Sequence, residues 1–114
     1  AIIKPMKPSI ELFRIKRTDV CVYMNLGFEG EDLKFDGQDF GTTVDEHWGS
    51  SEYEYSATVL GKDLGPLYDL HGIAHGEKVA LLAALGPLFS HNSGYTQFKD
   101  YLIKHGIPFD TFTY

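Results

Sequence analysis

Between Glu52 and Val59 apolar and polar residues alternate, so a strand there turns Tyr53, Tyr55, Ala57 and Val59 to one side and Glu52, Glu54, Ser56 and Thr58 to the other. It is the clearest strand signal in the chain. The run from Val20 to Leu26 is almost continuously apolar (Val20, Cys21, Val22, Tyr23, Met24), the composition of an interior strand. Ile10 to Lys16 mixes β-branched, aromatic and basic residues and reads as its partner, with Thr18-Asp19 as the hairpin turn between them. Gly27 and Gly30 are expected to end the second strand, Leu33 to Asp36 to form a short third one ahead of Gly37, and Gln38 to Ser50 to be an irregular loop.

After Leu60 the period changes. Gly61-Lys62-Asp63 is a turn, with Asp63 a candidate N-cap for a short helix from Leu64 to Leu70 that tolerates Pro66 in its first turn. From Glu77, Val79, Leu82, Ala83 and Phe89 recur at helical spacing through an Ala-Leu-rich stretch, and Gly86-Pro87 is expected to kink or end that helix. A last helix from Tyr95 to His105 places Tyr95, Phe98 and Leu102 on one stripe with Tyr101 beside it. Its stop is marked by Lys104, His105, Gly106 and Pro108. Phe109 to Tyr114 alternates again and returns as a final strand, with Phe109 or Phe112 covered by it. These elements predict an α+β fold, an antiparallel sheet of about four to five strands with two to three helices packed on one face. At 114 residues the chain is expected to be one domain, residues 1–114, with 1–8 flexible and Met6 a possible native start.

Composition changes this picture little, except in charge. A hydrophobic content of 43% and a charged content of 23% are those of a folded protein. One cysteine excludes an internal disulfide framework, no apolar run reaches the roughly 18 residues that span a bilayer, and the opening residues do not make a signal-peptide core, so a cytoplasmic location is expected. The net charge of −6 is concentrated. Residues 29–54 hold nine carboxylates against Lys34 alone, a net of −8, whereas the first twenty residues are basic. Such a segment is either a solvated surface or a surface for a basic partner. Nucleic-acid binding is disfavoured, because it requires net positive charge against the phosphates.

Candidate chemistry is sparse. His71 and His75, with Asp69 before them, have the i, i+4 spacing of a helical zinc pair, but Gly72 and Gly76 argue for a loop, and Gly72 replaces the glutamate that a zinc hydrolase needs. His47 beside Asp45 and Glu46 suggests acid–base chemistry only in outline, because any acidic loop offers a His beside carboxylates by chance. Cys21, between two valines, reads as a small packed group rather than a nucleophile. Ser50-Ser51 lacks the glycines of a nucleophile elbow, and Gly61-Lys62-Asp63 lacks the pattern of a phosphate loop. No metal, cofactor or catalytic residue is assigned.

The run Trp48-Gly49-Ser50-Ser51-Glu52-Tyr53-Glu54-Tyr55 with Thr58-Val59, and the ending Phe98, Tyr101-Leu102, His105-Gly106-Ile107-Pro108-Phe109, resemble parts of small uncharacterised bacterial proteins. In size, acidity and layout the chain is similar to immunity proteins of bacterial toxin systems such as contact-dependent inhibition. That resemblance implies a non-catalytic protein that neutralises or regulates a partner. With the charge pattern, it leads to a basic partner, a toxin such as a nuclease, with Asp45, Glu46, Glu52 and Glu54 as charged contacts and Trp48 as an aromatic anchor. The alternatives are a small enzyme or metal-binding protein using His47, His71 and His75, and a generic interaction or scaffold domain.

Overall fold

A computed structural model describes residues 8–17, 20–41 and 51–113. Five strands, β1 (Ser9–Lys16), β2 (Val20–Glu29), β3 (Asp32–Gly41), β4 (Ser51–Val59) and β5 (Asp110–Thr113), form one antiparallel sheet in chain order. Three helices, α1 (Gly65–Leu70), α2 (Lys78–Phe89) and α3 (Gly94–Lys104), lie between β4 and β5 in the sequence. The fold is therefore α+β, as the change of hydrophobic period predicts. Among the described residues no helix is long and apolar enough to cross a membrane.

Strand alternation decides which side of the sheet the helices cover. Met24, Leu26 and Phe28 of β2, Leu33 and Phe35 of β3, and Ala57 and Val59 of β4 are buried, and they share one core with Leu67, Leu81, Leu82, Leu85, Phe89, Phe98 and Leu102 of the helices. The residues between them in sequence project from the other side. In β1 the register slips between Glu11 and Phe13, which leaves Leu12 as the extra residue of a bulge. Leu12 and Phe13 both pack on the core as a result, while Arg14 and Lys16 stay on the outer side opposite Tyr23 and Cys21. Pro8 belongs to this edge, since its carbonyl accepts the Phe28 N–H at 2.9 Å.

Several expected boundaries shift. β2 runs past Gly27 to Glu29, and β3 is ten residues long instead of four, so Gln38 to Gly41 is strand, not loop. A glycine ends a strand only where nothing pairs with it. Gly27 pairs with Ser9 and Lys34, and Gly37 with Met24 and Tyr55. Tyr53, at the open end of β4, is 59% exposed, whereas Ala57 and Val59 are fully buried. Thr18-Asp19, residues 1–7 and residues 42–50 lie outside the described residues.

Asp63 is not an N-cap. It closes a 3-10 turn, Gly61–Asp63, and α1 begins after Leu64 without a side-chain cap. Asp32 performs the polar duty there instead, its carboxylate accepting the Gly61 N–H at 2.8 Å. In α2 the buried positions are Leu81, Leu82, Leu85, Gly86 and Phe89, while Val79 is 71% exposed and Ala83 is exposed. An Ala-Leu helix is apolar on every side, so its sequence does not set its rotation. The close fit of Gly86 against Ile10 of β1 helps to set it. Pro87 sits inside the last turn without ending the helix, at the expense of one hydrogen bond four residues back.

α3 follows its sequence closely. Phe98 and Leu102 are buried, and Tyr95 and Tyr101 flank them against the core. Gly106 takes φ +67°, its N–H reaches the Ile103 carbonyl at 3.1 Å, and the N–H of the buried Ile107 reaches the Leu102 carbonyl at 2.9 Å, a complete Schellman stop. The chain then leaves through Pro108, and β5 pairs with β4 as expected. The covered aromatic is Phe109, which packs on the core. Phe112, the other candidate, is 59% exposed on the far side of the sheet.

Candidate functional site

The helices leave the outer side of the sheet open, and the register orders its side chains into rows. One row crosses the sheet as Glu11, Asn25, Asp36, Ser56 and Phe112; the next runs Arg14, Tyr23, Gln38 and Glu54. A third carries Lys34 with Thr58 and Asp110, and a fourth Cys21 with Phe40. Where the first two rows adjoin Lys34, the surface dips into a hollow of about 320 Å³.

Its chemistry is acidic and aromatic. Glu54 accepts a hydrogen bond from Gln38 Nε2 at 2.9 Å. Lys34 Nζ stands 3.6 Å from both Glu29 and Asp36, one ammonium shared between two carboxylates at more than direct hydrogen-bond length. Burial raises the Asp36 carboxyl above its ordinary range despite Lys34, with Glu29 and Glu54 adding to the rise. Tyr23 meets Phe40 edge-on at 6.2 Å and carries the Arg14 guanidinium 5.1 Å from its centroid. Cys21 is half-buried on this outer side, not packed in the core, and its thiol lies 3.8 Å from the Arg17 carbonyl.

Of the residues expected to contact a partner, only Glu54 is placed here with its side chain. Glu52 is a strand position of β4 paired with Phe40. Asp45, Glu46, His47 and Trp48 lie outside the described residues, in the connection whose ends, Gly41 and Ser51, pair with each other. Much of the remaining acidic charge has internal work: Glu31 binds Lys78 at 3.2 Å, Asp32 holds the Gly61 N–H, and Asp39 accepts the Tyr55 hydroxyl at 2.9 Å. A third strand that ends at Asp36 leaves Asp36, Gln38, Tyr23 and Ser56 without the register that brings them together, and β3 in fact runs on to Gly41. The alternation of Lys34, Asp36, Gln38 and Phe40 against Leu33, Phe35 and Gly37 was the available signal.

The two loop histidines go separate ways. His71 Nε2 lies 2.7 Å from the Tyr101 hydroxyl, and His75 Nε2 lies 2.8 Å from Asp69 Oδ1 with its ring stacked on Tyr68. The segment between α1 and α2 is two turns with positive φ at Gly72 and Gly76, so the helical pair needed for zinc does not form. No group of three or more metal-ligating side chains occurs among the described residues.

The opposite face holds a tyrosine cluster. Burial, and then its bond to Asp39, lifts the Tyr55 hydroxyl well above the ordinary tyrosine range; burial alone raises Tyr95 and Tyr101. A raised acid pKa in the folded state gives stability that is complete below the unfolded value of about 10 and is lost as pH climbs through the folded value. Urea unfolding between about pH 8 and 11.5 should therefore show stability falling from about pH 10 upward, with a shallower fall in Tyr55→Phe. Equal slopes in the two proteins would remove Tyr55 from the account.

Comparison with protein families, with curated proteins and with solved structures finds no match to this chain.

Proposed function

We propose that this protein is a non-catalytic binding domain that neutralises or regulates a basic partner protein, in the manner of an immunity protein blocking a toxin such as a nuclease. The observation that carries this reading is the open face of the sheet: Glu29 and Asp36 flank Lys34, Glu54 lines the same hollow as Lys34 and Asp36, and Tyr23, Phe40 and Phe112 lie on the same face. Carboxylates on such a surface steer a cationic partner into encounter, and exposed aromatic rings supply area that is lost to water on docking. The similarity in size and acidity to immunity proteins supports the same conclusion. The histidine-based alternative has no comparable support, since His71 and His75 are engaged by different partners.

The test starts with affinity capture, using the whole chain, followed by association kinetics at two ionic strengths. The captured protein is expected to be basic. Glu52→Gln with Glu54→Gln should slow association by about tenfold or more at low salt, and the difference should shrink as the Debye length falls to about 8 Å at physiological salt. Trp48→Ala should act on the dissociation rate, with a loss of about 2 kcal/mol. An acidic partner, or an association rate indifferent to salt and to both glutamates, would overturn the proposal.

A further inference from the structure

The hydroxyl of Ser56 is the one feature of the hollow that the fold itself does not explain. Ser56 is only 8% exposed, the sole polar residue among those described that is so deeply buried. Its backbone carbonyl accepts the Tyr95 hydroxyl at 2.9 Å on the helix side. Its Oγ has no hydrogen-bond partner among the described residues, although it lines the hollow between Asp36 on one neighbouring strand and Phe112 on the other. A buried hydroxyl without a partner is destabilising, and a small apolar residue there would avoid that loss.

The surroundings specify what would satisfy it. Glu54 spends one oxygen on Gln38, Asp36 faces Lys34 only at 3.6 Å, and the hollow holds acceptors on two adjacent rows with a single ammonium among them. Several acceptors on neighbouring rows of one hollow match a planar group with five N–H donors better than a point charge. Tyr23 and Phe112 supply rings at the rim, and Tyr23 already carries the Arg14 guanidinium from the same chain. A volume of about 320 Å³ is at the small end of ligand pockets, enough for one side chain.

We propose that the hollow over Ser56 receives an arginine side chain of the basic partner, its guanidinium bound by Asp36, Glu54 and Ser56 Oγ and flanked by Tyr23 and Phe112. This rests on the reading that the partner is basic and docks on the open face. Insertion gives Ser56 Oγ a donor and offsets the carboxylate repulsion around Asp36. A neutral isostere of the same shape would satisfy the hydroxyl and leave the carboxylates unpaired.

The experiment is an NMR titration of the whole isotopically labelled chain with N-acetyl-arginine amide and with N-acetyl-citrulline amide, which has the same shape without the charge. The arginine amide should shift the backbone amides of Asp36, Gln38, Glu54 and Ser56 saturably at millimolar concentration, and the citrulline amide should bind about tenfold more weakly or less. Asp36→Asn with Glu54→Gln should weaken the arginine amide by about tenfold, and Ser56→Ala, which adds no bulk, by about threefold. Equal responses to the two amides, shifts confined to other parts of the chain, or no shift up to about 50 mM would overturn the inference. If the arginine amide leaves the hollow untouched while a captured basic partner still associates in a salt-dependent manner, this inference fails and the broader function stands. If the captured partner is acidic, the broader function fails, whatever the amide does.

Discussion

Phe98→Ala is expected to lower the unfolding free energy by about 3–5 kcal/mol, the cost of emptying a fully buried aromatic site. Phe98 is 0% exposed and stands where helix meets sheet: its ring lies 5.3 Å from Phe35 of β3 and 5.3 Å, edge-on, from Phe89 of α2. Three elements thus lose a shared contact at once, and the surrounding rings cannot all collapse into the gap. Set against a total stability of about 5–15 kcal/mol for a domain of this size, the loss removes a large part of the whole. Urea unfolding should show the midpoint falling with an unchanged slope. Ile103→Ala, on the same helix but 65% exposed, is the control and should change stability by no more than about 0.5 kcal/mol. Losses of similar size in the two variants would mean that the core is not centred on Phe98.

Gly37→Ala is the second large effect, and its sign runs against ordinary strand behaviour. In a regular strand, replacing glycine by alanine stabilises by about 0.5–1 kcal/mol through the unfolded chain. Here the added methyl would fall within the Tyr55 ring, which covers Gly37 from the paired position on β4. The ring would have to swing away, giving up the Tyr55 hydroxyl bond to Asp39 at 2.9 Å and the Tyr95 ring at 4.6 Å. A net loss of about 2–3 kcal/mol is expected, in the range of overpacked cores. The decisive measurement is a double-mutant cycle. With Tyr55→Ala already in place the methyl has nothing to displace, so Gly37→Ala should then cost less than about 0.5 kcal/mol. Additive losses would refute the account.

Gly37 also shows where the sequence stops being legible. The alternation from Glu52 to Val59 and the stripe of Tyr95, Phe98 and Leu102 are local patterns, and both elements form where those patterns place them. The sheet, the helices after it and the closing strand can be read in the same way. A glycine inside a strand reads as a terminator unless the residue opposite is known. Here that residue is Tyr55, whose ring needs the absent side chain. Reading Gly37 as an end hid half of β3, and with it Gln38 beside Glu54 and the row through Asp36 and Ser56. The rotation of α2 was illegible for a different reason: a helix that is apolar all round takes its orientation from what it packs against. A candidate site made of residues from neighbouring strands depends on register, which no single stretch of sequence contains.

The order of elements along the chain has a consequence for how the molecule comes into being. Synthesis completes the four-strand meander at Val59, with every pairing so far made between sequence neighbours, and such local contacts form quickly. The helices that shelter Leu26, Phe28, Leu33 and Phe35 follow only afterwards, and the strand that occupies the outer edge of β4 follows them. While the ribosome is still reading α2 and α3, a greasy sheet with a vacant edge is therefore presented to its surroundings or to chaperones. That interval, rather than the finished fold, is when this chain is most exposed to clumping with its own copies.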